Sequence, residues 1–210
     1  MAELGKIEKP EVGQFTNKRK LFLVPLIYSW QDAPAEYSVL FDIYWQQVKE
    51  HIANLESKVG SVSVIYHESI AVAGEEGLGL LEKLSNPTYK IVLEKTRSGA
   101  QMEAVEDAEL VGESMDWERH LMMGFISEKA AKVVSDFFNE ASKKRYEHIA
   151  KRINETFKGN EVAVLFIREG HKVQFPSDIE VFSVFPPVLN DIMRWLRDYK
   201  PEENAGEGKE

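Results

Sequence analysis

Few side chains in this sequence combine a reactive type with a position where it could be used. His171 closes the turn Arg168-Glu169-Gly170-His171, directly after the apolar run VAVLFI at 162–167. A histidine there can ligate a metal or act as a general base near neutral pH, and the glycine before it permits a tight turn. The bland alternative is a loop histidine bonded to nearby backbone. His67-Glu68 follow a second apolar run, SVSVIY at 61–66. A glutamate brought to the end of a buried strand needs a partner. It could serve as a general base or ligand, or pair with Arg145 or Arg168. Arg145, His148 and Arg152 stand at i, i+3 and i+7, so they share one stripe of a helix. Arg145 is the member expected to hold a carboxylate or an anionic substrate group. His148 and Arg152 read as boundary residues whose stems cover core.

The elements that must position these side chains follow from the apolar pattern. Leu21–Tyr28 (LFLVPLIY) is almost continuously apolar, as a strand covered on both faces would be. Pro25 cannot donate to a ladder and implies an edge or a bulge there. Asp32 is expected to cap a helix running to about Lys58, with Tyr37, Leu40, Phe41, Tyr44, Val48, Ile52, Leu55 and Val59 on one face. Gly60 closes it. Val62–Tyr66 is the second strand, Gly74–Leu84 a short helix or loop, and Tyr89–Glu94 (YKIVLE) a third strand. The polar segment 95–113 reads as loops or short helices, and Met115–Ile126 as a helix. The longest helix is predicted from Ser127 to about Phe157, with Val134, Phe137, Phe138, Ala141, Ile149, Ile153 and Phe157 buried. Strands at 162–167 and 179–185 follow. A last helix opens at Pro186-Pro187, with Leu189, Ile192, Met193, Leu196 and Tyr199 turned inward. This succession predicts a single α/β domain with a mixed, mainly parallel sheet of about five strands and helices on both faces. Right-handed crossovers would bring Tyr28, His67-Glu68 and Gly170-His171 to the carboxyl edge, where ligands bind in such sheets. Glu68, Arg145 and His171 are therefore expected to face one cavity.

Composition narrows the function classes. The chain has 210 residues, a net charge of −9 and a pI near 5.2. An acidic surface argues against nucleic acid and against an anionic membrane. No apolar run approaches the roughly 20 residues of a membrane span. The absence of cysteine excludes disulfides, thiol catalysis and cysteine-ligated zinc. GEEGLG at 74–79 lacks the lysine of a phosphate loop, and no HExxH, GxSxG or DxDxDG pattern occurs. The expectation is a cytoplasmic protein that uses no cofactor. Its partner would be a small molecule or another protein, and self-association stays open. Residues 1–18 are expected to form a mobile leader, 19–200 the domain, and 201–210 (PEENAGEGKE) a disordered tail.

The long helix, strand and histidine turn together resemble the TraB/PrgY/TIKI group, within the wider set that includes erythromycin esterase-like and ChaN-like proteins. In that group a long helix ends in an R-N-x-x-x-A pattern, followed by an apolar strand and a Gly-x-x-His turn. Arg145-Tyr146-Glu147-His148-Ile149-Ala150 stands at the first pattern, and VAVLFI leads into Arg168-Glu169-Gly170-His171 at the second. The family's strand-end glutamate falls on Glu68. Two departures stand out. Arg168 replaces the first glycine of the turn, and Pro25-Leu26-Ile27-Tyr28-Ser29-Trp30 lacks the histidine that should follow the first strand. The resemblance implies Glu68, Arg145 and His171 as site residues. With the first histidine missing, it implies a degenerate, non-catalytic relative that binds a small ligand or a protein partner. The alternative is a hydrolase using Glu68 and His171, with Arg145 orienting substrate.

Overall fold

The computed structural model describes residues 18–199. The expected leader and tail otherwise lie outside the described residues. Five strands form one sheet in the order β3-β2-β4-β1-β5, and every pairing is parallel rather than mixed. The strands are β1 (Arg19–Leu26), β2 (Val64–His67), β3 (Gln101–Met102), β4 (Val162–Arg168) and β5 (Ile179–Ser183). The helices are α1 (Ala35–Val59), α2 (Gly74–Leu84), α3 (Asn86–Arg97), α4 (Ala108–Met122), α5 (Glu128–Thr156) and α6 (Val188–Asp198).

β4 shows why the strands read as unbroken apolar runs. Val162, Val164 and Phe166 enter a core shared with α1, α2, α3 and α6. Ala163, Leu165 and Ile167 enter a second core, under α5. Successive side chains alternate across the sheet, so a strand covered on both faces must be apolar throughout. Pro25 is tolerated on an interior strand because β5 stops short of it. The β1–β5 register ends at Leu23↔Ser183, while the β1–β4 register continues through Pro25↔Ile167.

Several expectations need correction. Tyr89–Glu94 is not a strand but the middle of α3, which opens at Ser85-Asn86-Pro87 with proline in its first turn. Proline is suited to that position because its missing N–H is one the helix leaves unbonded. The third strand is the two-residue pair Gln101–Met102, inside the segment expected to be loops. The same segment contains the start of α4, where the Asp107 side chain accepts from the backbone N–H groups of Glu109 and Leu110. Asp32 does not cap α1. It adopts φ 62° in the preceding turn, and Pro34 takes the cap position without a side-chain bond. On α6, Leu189 and Ile192 are buried, but Met193 and Leu196 are exposed. On α5, Phe137 is likewise exposed, because the first half of that helix packs on α4 rather than on the sheet.

A buried ion network at the carboxyl edge

Residues 64, 66 and 68 alternate toward the face that carries α5. Val64 and Tyr66 join its core, and Glu68 continues the row one residue beyond β2. The Glu68 N–H still bonds Phe166 O at 2.8 Å, so the ladder holds the residue in place. Ser69 then turns the chain at φ 73°. Opposite, Ala141, Arg145, Ile149 and Ile153 form the buried stripe of α5 at four-residue intervals. A guanidinium on such a stripe must find a carboxylate. Arg145 finds two. Its Nη2 donates to Glu68 Oε1 at 3.0 Å, its Nε donates to both oxygens of Glu106 at 3.1 Å, and Nη2 also reaches Glu106. The Arg145 and Glu68 side chains are 2% and 0% exposed.

Arg168 closes the network from the end of β4. Its backbone N–H donates to Glu68 Oε2 at 2.6 Å and its Nε to Glu68 Oε1 at 2.5 Å. Its Nη1 turns outward to Glu118 of α4 at 3.1 Å. Glu106 further accepts from the Ser69 N–H at 3.3 Å. Two buried carboxylates thus face two guanidiniums, and Glu118 adds one negative charge at the partly exposed rim. Burial works to lower the pKa of each arginine, but the carboxylates outweigh it and hold both above the ordinary value. The ions are compensated, and both oxygens of Glu68 already accept N–H donors.

His67 points to the other face, its ring 5.9 Å from that of Phe166. Its Nδ1 donates to the Glu68 carbonyl, which leaves Nε2 as a bare acceptor with no partner among the described residues. Burial keeps the imidazole neutral and lowers its pKa to about 4.

His171 shares the edge but not the network. It is half-buried, its Nδ1 accepts from the Val173 N–H at 3.3 Å, and its ring meets Phe175 edge-on. Burial lowers its pKa, with the Glu68 charge opposing. It makes no hydrogen bond to Glu68 or Arg145. It lines a recess of about 130 Å³ with Leu23, Pro25 and Phe185. A larger cleft, about 720 Å³, opens between α5 and the 168–174 turn and is lined by Phe138, Ser142, Lys143, Tyr146, Lys172 and Gln174 among others. Arg168 and Gly170 border both spaces. The expected single cavity facing Glu68, Arg145 and His171 is therefore not found. The first two are sealed beneath Arg168, and the third lies in a separate recess.

The remaining stripe residues behave as boundary side chains. Arg152 donates to Ala104 O and Glu155, and His148 is half-buried away from the ions. Glu106 and Glu118 had not been anticipated. The signal for Glu106 was available in its position, directly after the buried Val105 and before the capping Asp107. Among the described residues, no group of three or more histidine, aspartate or glutamate side chains is placed to hold a metal ion, and no helix is long and apolar enough to cross a membrane. Comparison with protein-family models, curated proteins and solved structures gives no match for this chain.

Proposed function

We propose that this protein binds a small anionic, partly apolar molecule in the cleft between α5 and the 168–174 turn, without hydrolysing it. The observation that carries the reading is the state of Glu68. A general base or nucleophile needs a free lone pair within reach of substrate or water. The Glu68 carboxylate is fully buried, three N–H donors from Arg145 and Arg168 take most of its lone pairs, and Arg168 closes it off from substrate or water. Such a residue braces the edge of the sheet. The cleft beside it has the mixed lining typical of small-molecule sites. Phe138, Tyr146 and Ala150 supply apolar and aromatic surface, and Lys143 and Lys172 supply two cations against the single acid Glu147, which pairs with Lys143, while the Arg168 charge is already met by Glu68 and Glu118. A cationic cleft on a chain of net charge −9 favours a carboxylate or phosphate group on the ligand. The resemblance to the TraB/PrgY/TIKI and erythromycin esterase-like group supports a degenerate member of that fold.

The second reading, a hydrolase using Glu68 and His171, draws support from the neutral imidazole of His171 at the same edge. It requires Arg168 to swing away and release Glu68. A thermal-shift screen of carboxylated and phosphorylated small molecules, with each hit checked for turnover, separates the two. Stabilising hits recovered intact support binding. Hits converted at a rate that collapses in both Glu68→Gln and His171→Ala support hydrolysis.

A further inference from the structure

The outer edge of β5 carries a row of backbone groups arranged for pairing with a copy of itself. The ladder to β1 fixes which residues face inward. Arg19 N–H bonds Asp178 O, and Val184 N–H bonds Leu23 O. With the register Arg19↔Ile179 to Leu23↔Ser183, the even-numbered residues of β5 turn their N–H and C=O groups toward β1. Ile179, Val181 and Ser183 turn theirs outward. The Ile179 N–H is taken by Pro176 O at 3.0 Å. Among the described residues nothing pairs with the Ile179 carbonyl, with either backbone group of Val181, or with the Ser183 N–H. Val181 is 38% exposed, so the middle of the strand is not covered. The usual protections of a sheet edge are weak here, since IEVFS contains one charge, no lysine and no proline.

We propose that two copies of this chain join by antiparallel pairing of β5 across a two-fold axis at Val181, giving one continuous sheet. The open groups are self-complementary about that residue. The two Val181 residues would exchange both N–H···O bonds, and each Ser183 N–H would reach the partner copy's Ile179 carbonyl, about four bonds in all by the antiparallel pattern. The Ile179 N–H is already held by Pro176 O, so on each side it and the Ser183 carbonyl of the other copy, which it would face, stay outside the ladder. Charge agrees with the pairing. Glu180 falls opposite Phe182 of the other copy rather than opposite its own equivalent, so no like charges meet across the ladder. A strand from a different protein could gain the same backbone bonds, but the two-fold arrangement of the open groups about Val181 and the placement of Glu180 opposite Phe182 point to a second copy. The inference is independent of the cleft and of what it binds.

The test uses the full chain and its lack of cysteine. In a hydrogen-bonded antiparallel pair the facing Cα atoms are about 5.5 Å apart, within the span a disulfide bridges. Val181→Cys should therefore form a covalent dimer under mild oxidation. Ser183→Cys should not, because the two positions 183 would lie roughly 14 Å apart along the strands. Sedimentation of the unmodified protein should show a dimer. Val181→Lys, which sets two like charges face to face at an exposed position, should raise its dissociation constant at least tenfold with an unchanged circular dichroism spectrum. A monomer at 100 µM would overturn the proposal. So would a dimer that survives Val181→Lys without cross-linking at 181, since it would use another surface. A chain that dimerises only after residues 1–17 are deleted would also overturn it, by showing that the leader takes the edge.

Discussion

Replacing Glu68 by glutamine changes one atom of a side chain that anchors the carboxyl edge. The carboxylate accepts the Arg168 backbone N–H, the Arg168 Nε and the Arg145 Nη2, and it is 0% exposed. The substitution keeps the volume but removes the charge and turns an amide NH₂ toward donors. The four ions Glu68, Glu106, Arg145 and Arg168 then fall from balance to one excess positive charge. Breaking a buried pair from one side costs about 3–5 kcal/mol. Two features of the structure place this case near the lower end. Arg145 keeps Glu106, and Arg168, one-third exposed, can lean toward Glu118 and water. The expected loss is about 3 kcal/mol, or roughly 6–12 °C in melting temperature for a domain of this size. Glu118→Gln breaks only the outer, partly exposed pair and should cost under about 1 kcal/mol. Urea unfolding followed by circular dichroism reads both variants. A Glu68→Gln midpoint within about 1 kcal/mol of the parent, or equal to that of Glu118→Gln, would refute the reasoning, because the inner pair would then be no better than a surface contact.

Three further outcomes are expected. His67 titrates near 4 in the fold against an ordinary value of 6.5, so the unfolded chain takes up its proton first as the pH falls. Its contribution to stability is complete above about pH 6.5 and declines to zero as the pH drops toward 4, a loss of about 3 kcal/mol at 1.36 kcal/mol per unit; urea midpoints across that window should flatten in His67→Phe, and an unchanged slope would count against a neutral buried imidazole. Tyr66→Phe removes the hydroxyl contact with Thr156 at 2.7 Å and should cost about 1 kcal/mol of unfolding free energy, with no cost at all arguing against that bond. Lys172→Ala should leave thermal stability unchanged while weakening any anionic ligand of the cleft about fivefold by calorimetry, the scale of one exposed charge contact.

The parts of the fold legible in the sequence are those whose pattern has one physical cause. The apolar middles of β1 and β4 are legible because burial on both faces favours apolar side chains, and α1 and α5 because 25 and 29 residues of period 3.6 fit no strand. YKIVLE was ambiguous, since six residues with neighbouring β-branched side chains satisfy either period. Its helix is decided by the proline-containing start at Ser85–Pro87, upstream of those six residues. β3 is two residues long and leaves no periodic trace. The candidate site was half legible. A charge at position 145, four residues from Ala141 and from Ile149, announces a buried arginine that must be paired, and a glutamate after a buried strand announces its partner. Which carboxylates complete the pairing depends on how α4 and the 103–107 segment pack across the edge, and nothing local encodes that. His171 illustrates the opposite limit. Its turn does lie at the edge, but the imidazole bonds the Val173 N–H and lines the recess with Pro25 and Phe185, with no hydrogen bond to Glu68.

The central claim is that the ion network is structural and the neighbouring cleft binds without turnover. The most direct measurement incubates the protein with an anionic ligand that raises its melting temperature and follows that ligand by NMR. The expected result is intact ligand after prolonged incubation, with binding weakened by Lys172→Ala and retained, on a less stable fold, by Glu68→Gln. Conversion of the ligand at a rate abolished by Glu68→Gln in protein that is still folded would contradict it, and would make the buried carboxylate a catalytic group.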